Sequence, residues 1–302
     1  MPPLSLEEIT DILLKSAQIG SELCIAERSR CSLSFKPWDK TANLRVALAS
    51  RIVTSADLAV QESVLKYLLD CGLQDFAIEA EEDTPFIRQF RGGSDAAKIF
   101  IDPIDGTLAY SLGCAHWDEV AAQSGFDEAL RTQVRARTDS RMYGMVLGAC
   151  VPGVGATAVC ALPELGITYH ALKGASFRNG VRFRYADSAR PHLVAIGRRL
   201  LDPNGEASTP FAAARIPVRW FNGSSPGVLW HIFDGNCTGY ANLSCGFDVQ
   251  FAAIVAQSAG LLVTDRSGRS LSPPSAETIE SVVFASSTEE KDEICGVMQQ
   301  FP

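Results

Sequence analysis

The sequence predicts an α/β (α+β) chain of 302 residues in which strands and helices stack in layers. Two capped amphipathic helix patterns open it, short apolar runs bounded by turn residues fill its middle, and strands alternate with helices from residue 192 onwards. With 46% hydrophobic and 21% charged residues, the chain can bury a substantial core. No internal repeat, low-complexity tract or linker interrupts it. The expected organisation is therefore one unit of two lobes, 1–190 and 191–302.

The elements follow in order. Ser5-Leu6-Glu7-Glu8 has the capping-box pattern, with Ile9, Leu13, Ala17 and Leu23 behind it at helical spacing. Residues 30–52 read as irregular. Thr54-Ser55-Ala56-Asp57 is a second capping box, leading into Val64, Leu65, Leu68 and Leu69, with Gly72 as the stop. The segment "DFAIEAEED" (75–83) is a short apolar strand running into acid. Residues 114–141 show little periodicity and read as an irregular or partly helical excursion. Strands are expected at 145–151, 155–161 and 166–170, with a turn at Asn179-Gly180. Beyond the strand "HLVAIG" (192–197) come a helix near 226–234 and another at 248–259, ended by Gly260. The strand "LLVT", the turn "DRSG", the strand "SVVFA" and a helix from about Ser287 complete the chain.

Composition narrows the function classes. A net charge of −8, with no basic stretch interleaved with aromatics, argues against nucleic-acid binding. Arg131, Arg135, Arg137 and Arg141 form the nearest thing to a basic cluster, read first as a solvated surface and second as an anion-binding loop. Nine cysteines, an odd number without a Cys-x-x-Cys pair, fit reduced thiols in a cytoplasmic protein. The four histidines never approach a zinc-like spacing. No apolar run reaches the ~20 residues of a membrane span, and "MPPLSLEEIT" has no signal-peptide core, so no membrane partner is expected.

One stretch carries the chemistry: "KIFIDPIDGT" (98–107). Ile99, Phe100 and Ile101 form a continuous apolar run that fits a strand buried on both faces. It stops at two aspartates three positions apart. Pro103 keeps Asp102 extended, and Gly106 permits a turn that a residue with Cβ resists. An ordinary Asp-Gly turn explains Asp105 alone; it does not explain a second carboxylate beside it. Two nearby carboxylates raise each other's pKa unless a cation neutralises them, and a hard divalent cation suits oxygen ligands.

Further acids stand at strand or helix ends. Glu81 and Glu82 follow the strand "FAI", Asp57 opens one helix and Asp248 opens another. Each has a plain structural explanation, as a solvated run or as an acid at a helix N-terminus. Their order is what stands out. Val53-Thr54-x-Ala56-Asp57, Ala80-Glu81-Glu82-Asp83, Asp102-Pro103-Ile104-Asp105-Gly106-Thr107 and Phe247-Asp248, followed by "AGLLVTDRSG", resemble the inositol monophosphatase family. So does "HALKGASFRNG" (170–180), and the resemblance runs from about residue 5 to 300. These are magnesium-dependent, often lithium-sensitive phosphatases, and the superfamily includes the 3′(2′),5′-bisphosphate nucleotidases.

The resemblance implies a layered αβαβα sandwich, a homodimer, and a small phosphorylated metabolite as substrate. It implies two Mg2+ ions, with a third possible: Glu81, Asp102, the Ile104 carbonyl and the Thr107 hydroxyl hold one, and Asp102, Asp105 and Asp248 hold the second. Amides of Gly106 and Thr107 bind the phosphate. Thr107 with Glu81 or Glu82 orients and deprotonates the attacking water, and Asp57 supports the site or a further ion. Ser224, Ser225 and Ala241 fall at substrate-facing positions.

This chain also departs from the family pattern. Phe247 stands where Trp is usual, and Ala241 stands where inositol monophosphatases carry a glutamate for inositol hydroxyls. Leu108-Ala109-Tyr110 matches neither the inositol enzymes nor the nucleotidases, while Ala80-Glu81-Glu82-Asp83 and Gly223-Ser224-Ser225 lean towards the nucleotidases. The first reading is a Mg2+-dependent hydrolase of small phosphate monoesters, working by two-metal activation of water. The alternatives are a bisphosphate nucleotidase, or a noncatalytic, regulatory, lyase or cyclase protein on the same scaffold. Residues 114–141 read equally as an arginine-bearing lid over the site or as a surface loop with no role there.

Overall fold

The computed structural model describes residues 4–35, 52–93, 95–123, 126–186, 192–197, 200, 209–221, 223–271 and 278–301. Helix α1 (Leu6–Glu27) opens on the expected capping box: the Glu8 amide donates to the Ser5 hydroxyl, and the Ser5 amide donates back to the Glu8 carboxylate. Strand β1 (Leu33–Phe35) pairs with β2 (Ile52–Thr54), which runs straight into α2 (Ser55–Asp70). This hairpin is a finding within the stretch expected to be irregular; 36–51 lie outside the described residues. The chain turns at Gly72, with φ of 82°, into β3 (Ala77–Ala80) and β4 (Lys98–Asp105).

Three helices follow: α3 (Thr107–Ser111), α4 (Trp117–Gln123) and α5 (Glu128–Arg137). The first sheet continues through β5 (Gly144–Val151), β6 (Gly155–Leu162), β7 (Ile167–Leu172), β8 (Ala175–Arg178) and β9 (Val181–Phe183). Its seven strands stand in sequence order from β3 to β9, with β3 and β4 parallel and every later neighbour antiparallel.

The second sheet begins with β10 (Val194–Ile196), then α6 (Thr209–Ala213), β11 (Val218–Trp220), α7 (Ser225–Phe233), β12 (Gly239–Cys245) and α8 (Phe247–Ala259). It closes with β13 (Leu262–Thr264), β14 (Ile279–Ala285) and α9 (Thr288–Met298). Its strand order is β11-β10-β12-β14-β13, parallel around β10 and antiparallel around β14.

Side-chain alternation turns these elements into layers. Ile99 and Ile101 face α1 and α2, where Ile9, Leu13, Val64, Leu65 and Leu68 complete one core. Phe100 points the other way, with its ring 5.0 Å from Phe251 of α8. That second core holds α7 and α8 between the two sheets. A third joins Val194, Ile196, Ala241 and Val283 to Phe211 of α6 and to Ile294, Val297 and Met298 of α9. The stack is therefore helix, sheet, helix, sheet, helix. Fully burying each Leu, Ile, Val or Phe of these cores contributes ~1.5–3 kcal/mol. Gly148 is what lets α8 approach: a Cβ there would stand 2.1 Å from Phe251 Cε1. Among the described residues no helix is long and apolar enough to cross a membrane, and no cysteine is in a disulfide.

The candidate metal centre and active site

The strand β4 does not stop at its apolar run. Pairing with β5 is regular to Asp102 opposite Val146 and resumes at Asp105 opposite Gly144, so three steps on β4 match two on β5. The extra residue is a bulge, and it absorbs Pro103, which has no N–H for the ladder. Asp102 and Asp105 consequently both look into one cavity of about 370 Å³. Gly106 follows at φ 81°, and α3 starts at Thr107. The Thr107 hydroxyl donates to the Ile104 carbonyl at 3.0 Å, so the two oxygens assigned to one metal already face each other.

Asp248 joins them from the first turn of α8. One carboxylate oxygen from each of Asp102, Asp105 and Asp248 lies within 4.8 Å of the other two. At such separations each pair of negative charges repels by ~3 kcal/mol in a protein-like dielectric. Burial, then the charges of Glu81, Asp105 and Asp248, push the Asp102 carboxyl well above its ordinary value. Burial and then Asp248 do the same to Asp105, against the stabilising bonds from Ser225. Among the described residues lining the cavity there is no lysine, arginine or histidine to balance them. Asp102 Oδ1 is buried without a hydrogen-bond partner. An orphaned carboxylate oxygen in a cluster of hard oxygen donors fits a divalent cation such as Mg2+.

Glu81 follows β3 directly and lines the same cavity, within hydrogen-bonding reach of Asp102. Its amide donates to the Ile101 carbonyl, carrying the parallel pairing of β3 and β4 one residue further. Glu82 does not line the cavity. Its peptide is clamped instead by the Gln61 side chain of α2, which takes the Glu82 N–H at 3.1 Å and donates to the Glu82 carbonyl. Asp57 is buried, and its carboxylate accepts from the Thr54 amide and hydroxyl, each at 2.7 Å. Burial raises its pKa to about 7, and the nearby Glu81 and Glu82 add to that.

Of the three residues assigned to face substrate, Ser224 and Ser225 line the cavity and Ala241 does not. Ser224 lines the cavity, but its hydroxyl accepts from the Gly227 amide at 3.0 Å and caps α7. The Ser225 hydroxyl donates to Asp248 Oδ2 at 2.9 Å, and the Ser225 amide donates to Asp105 Oδ2 at 2.5 Å. Both serines therefore hold the frame of the site. Ala241 is fully buried on the far face of β12, packed in the core with α6 and α9. Strand alternation puts its neighbours Tyr240 and Asn242 on the cavity side instead. Gly197 makes room for that amide, since a Cβ there would stand 2.0 Å from Asn242 Oδ1.

Residues 117–123 and 128–137 are helices, and none of the described residues of 114–141 lines the cavity. Arg135 bonds Asp118 at 2.8 Å and lies over the Trp117 ring; Arg131 donates to the Phe126 carbonyl; Arg141 pairs with Asp139. The Arg137 side chain lies outside the described residues. Three of the four arginines are committed to their own segment, which favours the surface-loop alternative over the lid.

The model of the inositol monophosphatase family matches residues 5–301. The chain belongs to the inositol monophosphatase family. Solved structures agree on the fold. The IMPase of Thermotoga maritima superposes with a TM-score of 0.66 at 20% identity, covering 96% of this chain and 98% of that one. The Anabaena (Nostoc) inositol monophosphatase gives 0.65 at 19%, covering 98% and 97%. A Staphylococcal IMPase-I complexed with products gives 0.69 at 12%, covering 98% and 97%. No curated protein sequence matches.

The lining that sequence reasoning missed is Phe221, Tyr240, Asn242 and Ser244. A signal was present. In "YANLSC" (240–245), Tyr, Asn and Ser alternate with Ala, Leu and Cys, the period of a half-buried strand.

Proposed function

We propose that the protein is a Mg2+-dependent phosphatase that hydrolyses the phosphate monoester of a small metabolite. The observation that carries this is the convergence of Asp102, Asp105 and Asp248 in one open cavity, with Asp102 Oδ1 unpartnered. Glu81, Asp102, the Ile104 carbonyl and the Thr107 hydroxyl would hold one ion, and Asp102, Asp105 and Asp248 a second. Such a pair of ions supplies charge neutralisation, an activated water and a clamp on the entering and leaving oxygens of an in-line displacement.

The remaining chemistry belongs to the chain. Phosphoryl transfer depends on positioning and electrostatics more than on covalent help. The Gly106 and Thr107 amides, at the rim of the left-handed turn, donate to the phosphoryl oxygens. The Thr107 hydroxyl turns from the Ile104 carbonyl to orient the attacking water, and Glu81 takes its proton. Glu81 suits that role better than Glu82, because Glu81 reaches the cavity and Glu82 does not.

The aromatic part of the cavity lining favours a second reading for the substrate, a bisphosphate nucleotide. Phe221, Tyr240 and Phe247 line it together with the Asn242 amide. Aromatic rings and an amide accept a planar base more readily than a polyol. A similar fold is that of an IMPase/NADP phosphatase solved with NADP and Ca2+, at 12% identity. A phosphate-release screen over sugar, inositol and nucleotide phosphates, with Mg2+ and with chelator, decides among these. Chelator-sensitive release from one class supports the reading. No release from any class with Mg2+ present overturns it.

A further inference from the structure

We propose that Ser225 is a positioning residue that ties the metal-ligating aspartates of the two sheets together, and that its hydroxyl sets how tightly Asp105 and Asp248 take a divalent cation. The inference rests on the Mg2+-dependent reading above. Asp105 arrives at the end of β4 in the first sheet. Asp248 arrives in α8, just after β12 of the second sheet. Ser225, the first residue of α7, touches both: its amide donates to Asp105 Oδ2 at 2.5 Å and its hydroxyl to Asp248 Oδ2 at 2.9 Å. Any non-proline residue could make the first bond. The second needs a hydroxyl, so the side chain at 225 is a choice rather than a consequence of the backbone.

The surroundings hold the backbone at this serine in place. The Ser224 amide donates to the Met142 carbonyl at 2.9 Å, and the Ser224 hydroxyl caps the helix through Gly227. Pro226 seats against Gly144, where a Cβ would stand 2.7 Å from the Pro226 ring. On the other side Gly106 presses on the 223–224 peptide, with a Cβ position 3.0 Å from Ser224 N. A donor held this rigidly fixes the plane of the Asp248 carboxylate before any ion arrives, and it offsets part of the repulsion from Asp105. Side chains that orient metal ligands in this way typically change metal affinity by about 10–100-fold.

Calorimetric titration of MgCl2 into chelator-stripped wild type, Ser225→Ala and Ser225→Thr tests the proposal, with melting temperatures in chelator as the folding control. Ser225→Ala is expected to raise the Mg2+ Kd about tenfold, with a cooperative melt retained in chelator, and Ser225→Thr, which keeps the hydroxyl, to restore wild-type affinity. A Ser225→Ala Kd within about twofold of wild type overturns the proposal alone. Failure of wild type to take Mg2+ overturns the metal-dependent reading and the proposal with it. If Ser225→Ala does not fold, Ser225→Cys, close in volume with a weaker donor, is held to the same criteria.

Discussion

Asp57 and Asp248 occupy the same kind of place, an acid in the first turn of a helix, and do opposite things. Ahead of Asp57 stands Thr54, whose amide and hydroxyl both bond its carboxylate, so the group closes on its own helix start and is buried. Ahead of Asp248 stands Gly246, which offers no side-chain cap, and its missing Cβ leaves space for the carboxylate. A Cβ on Gly246 would stand 2.7 Å from Asp248 Oδ1. Asp248 is therefore delivered to the cavity and bonded by Ser225 from another helix. Local sequence makes a helix start in both cases; the residue two or three positions upstream decides whether the acid becomes a cap or faces the cavity.

The sharpest separation of the two comes from neutralising each. Asp248→Asn, and equally Asp102→Asn, should weaken Mg2+ binding by more than about a hundredfold, beyond what outer partners of a metal usually contribute. Both variants should still melt cooperatively in chelator, since they remove repulsion among buried carboxylates. Mg2+-dependent phosphate release should vanish with the affinity. Wild-type release from either variant would remove these residues from the centre.

Gly246→Ala probes the release of Asp248 without altering any charge. The backbone at Gly246 is extended, with φ of −75°, so alanine is tolerated there while its Cβ collides with the carboxylate. A loss of Mg2+ affinity of about tenfold is expected, with little change in stability. Unchanged affinity would mean that the cavity position of Asp248 does not depend on the glycine.

Asp57 should show itself in stability against pH. Its folded pKa of about 7 lies above the ordinary value of 3.8 because burial penalises the charged form. The folded protein thus holds this proton more tightly than the unfolded chain does. The resulting stability is complete below pH ~4 and is lost as pH rises through about 7, amounting to a few kcal/mol at order of magnitude. In chelator, Asp57→Asn should flatten that part of the melting-temperature profile. A variant with the same slope as wild type would show that Asp57 is not the group responsible.

The smallest effect belongs to the arginines. Arg131→Ala, Arg135→Ala and Arg141→Ala break bonds within 117–141 and touch nothing in the cavity. Each should cost at most about 1 kcal/mol, as exposed pairs do, and leave kcat/KM unchanged on the best substrate. A tenfold rise in KM, a change of ~1.4 kcal/mol in binding, would restore the lid.

Much of this comparison was legible in the sequence. The capping boxes, the turn at Gly72 and the apolar run 99–101 are local signals, and α1, α2 and β4 follow from them. The acids came into view through their order along the chain. What was not legible is tertiary. Ala241 and Asn242 differ only in which face of β12 they occupy, and a shift of one residue exchanges the faces. The roles of Ser224 and Ser225 depend on the approach of α7 to β4 and α8, more than 100 positions apart for Asp105 and Ser225. Arginine count suggested a lid, whereas the Asp118, Asp139 and Phe126 partners of that segment become visible only once it folds.

The central claim, that carboxylates from both sheets form one divalent-cation site, is tested most directly by crystals soaked with MnCl2 and measured at the manganese absorption edge. An anomalous peak bounded by Asp102, Asp105 and Asp248, and lost in Asp248→Asn, is the result predicted. Manganese bound elsewhere, with that cavity vacant in the wild type, would contradict the account.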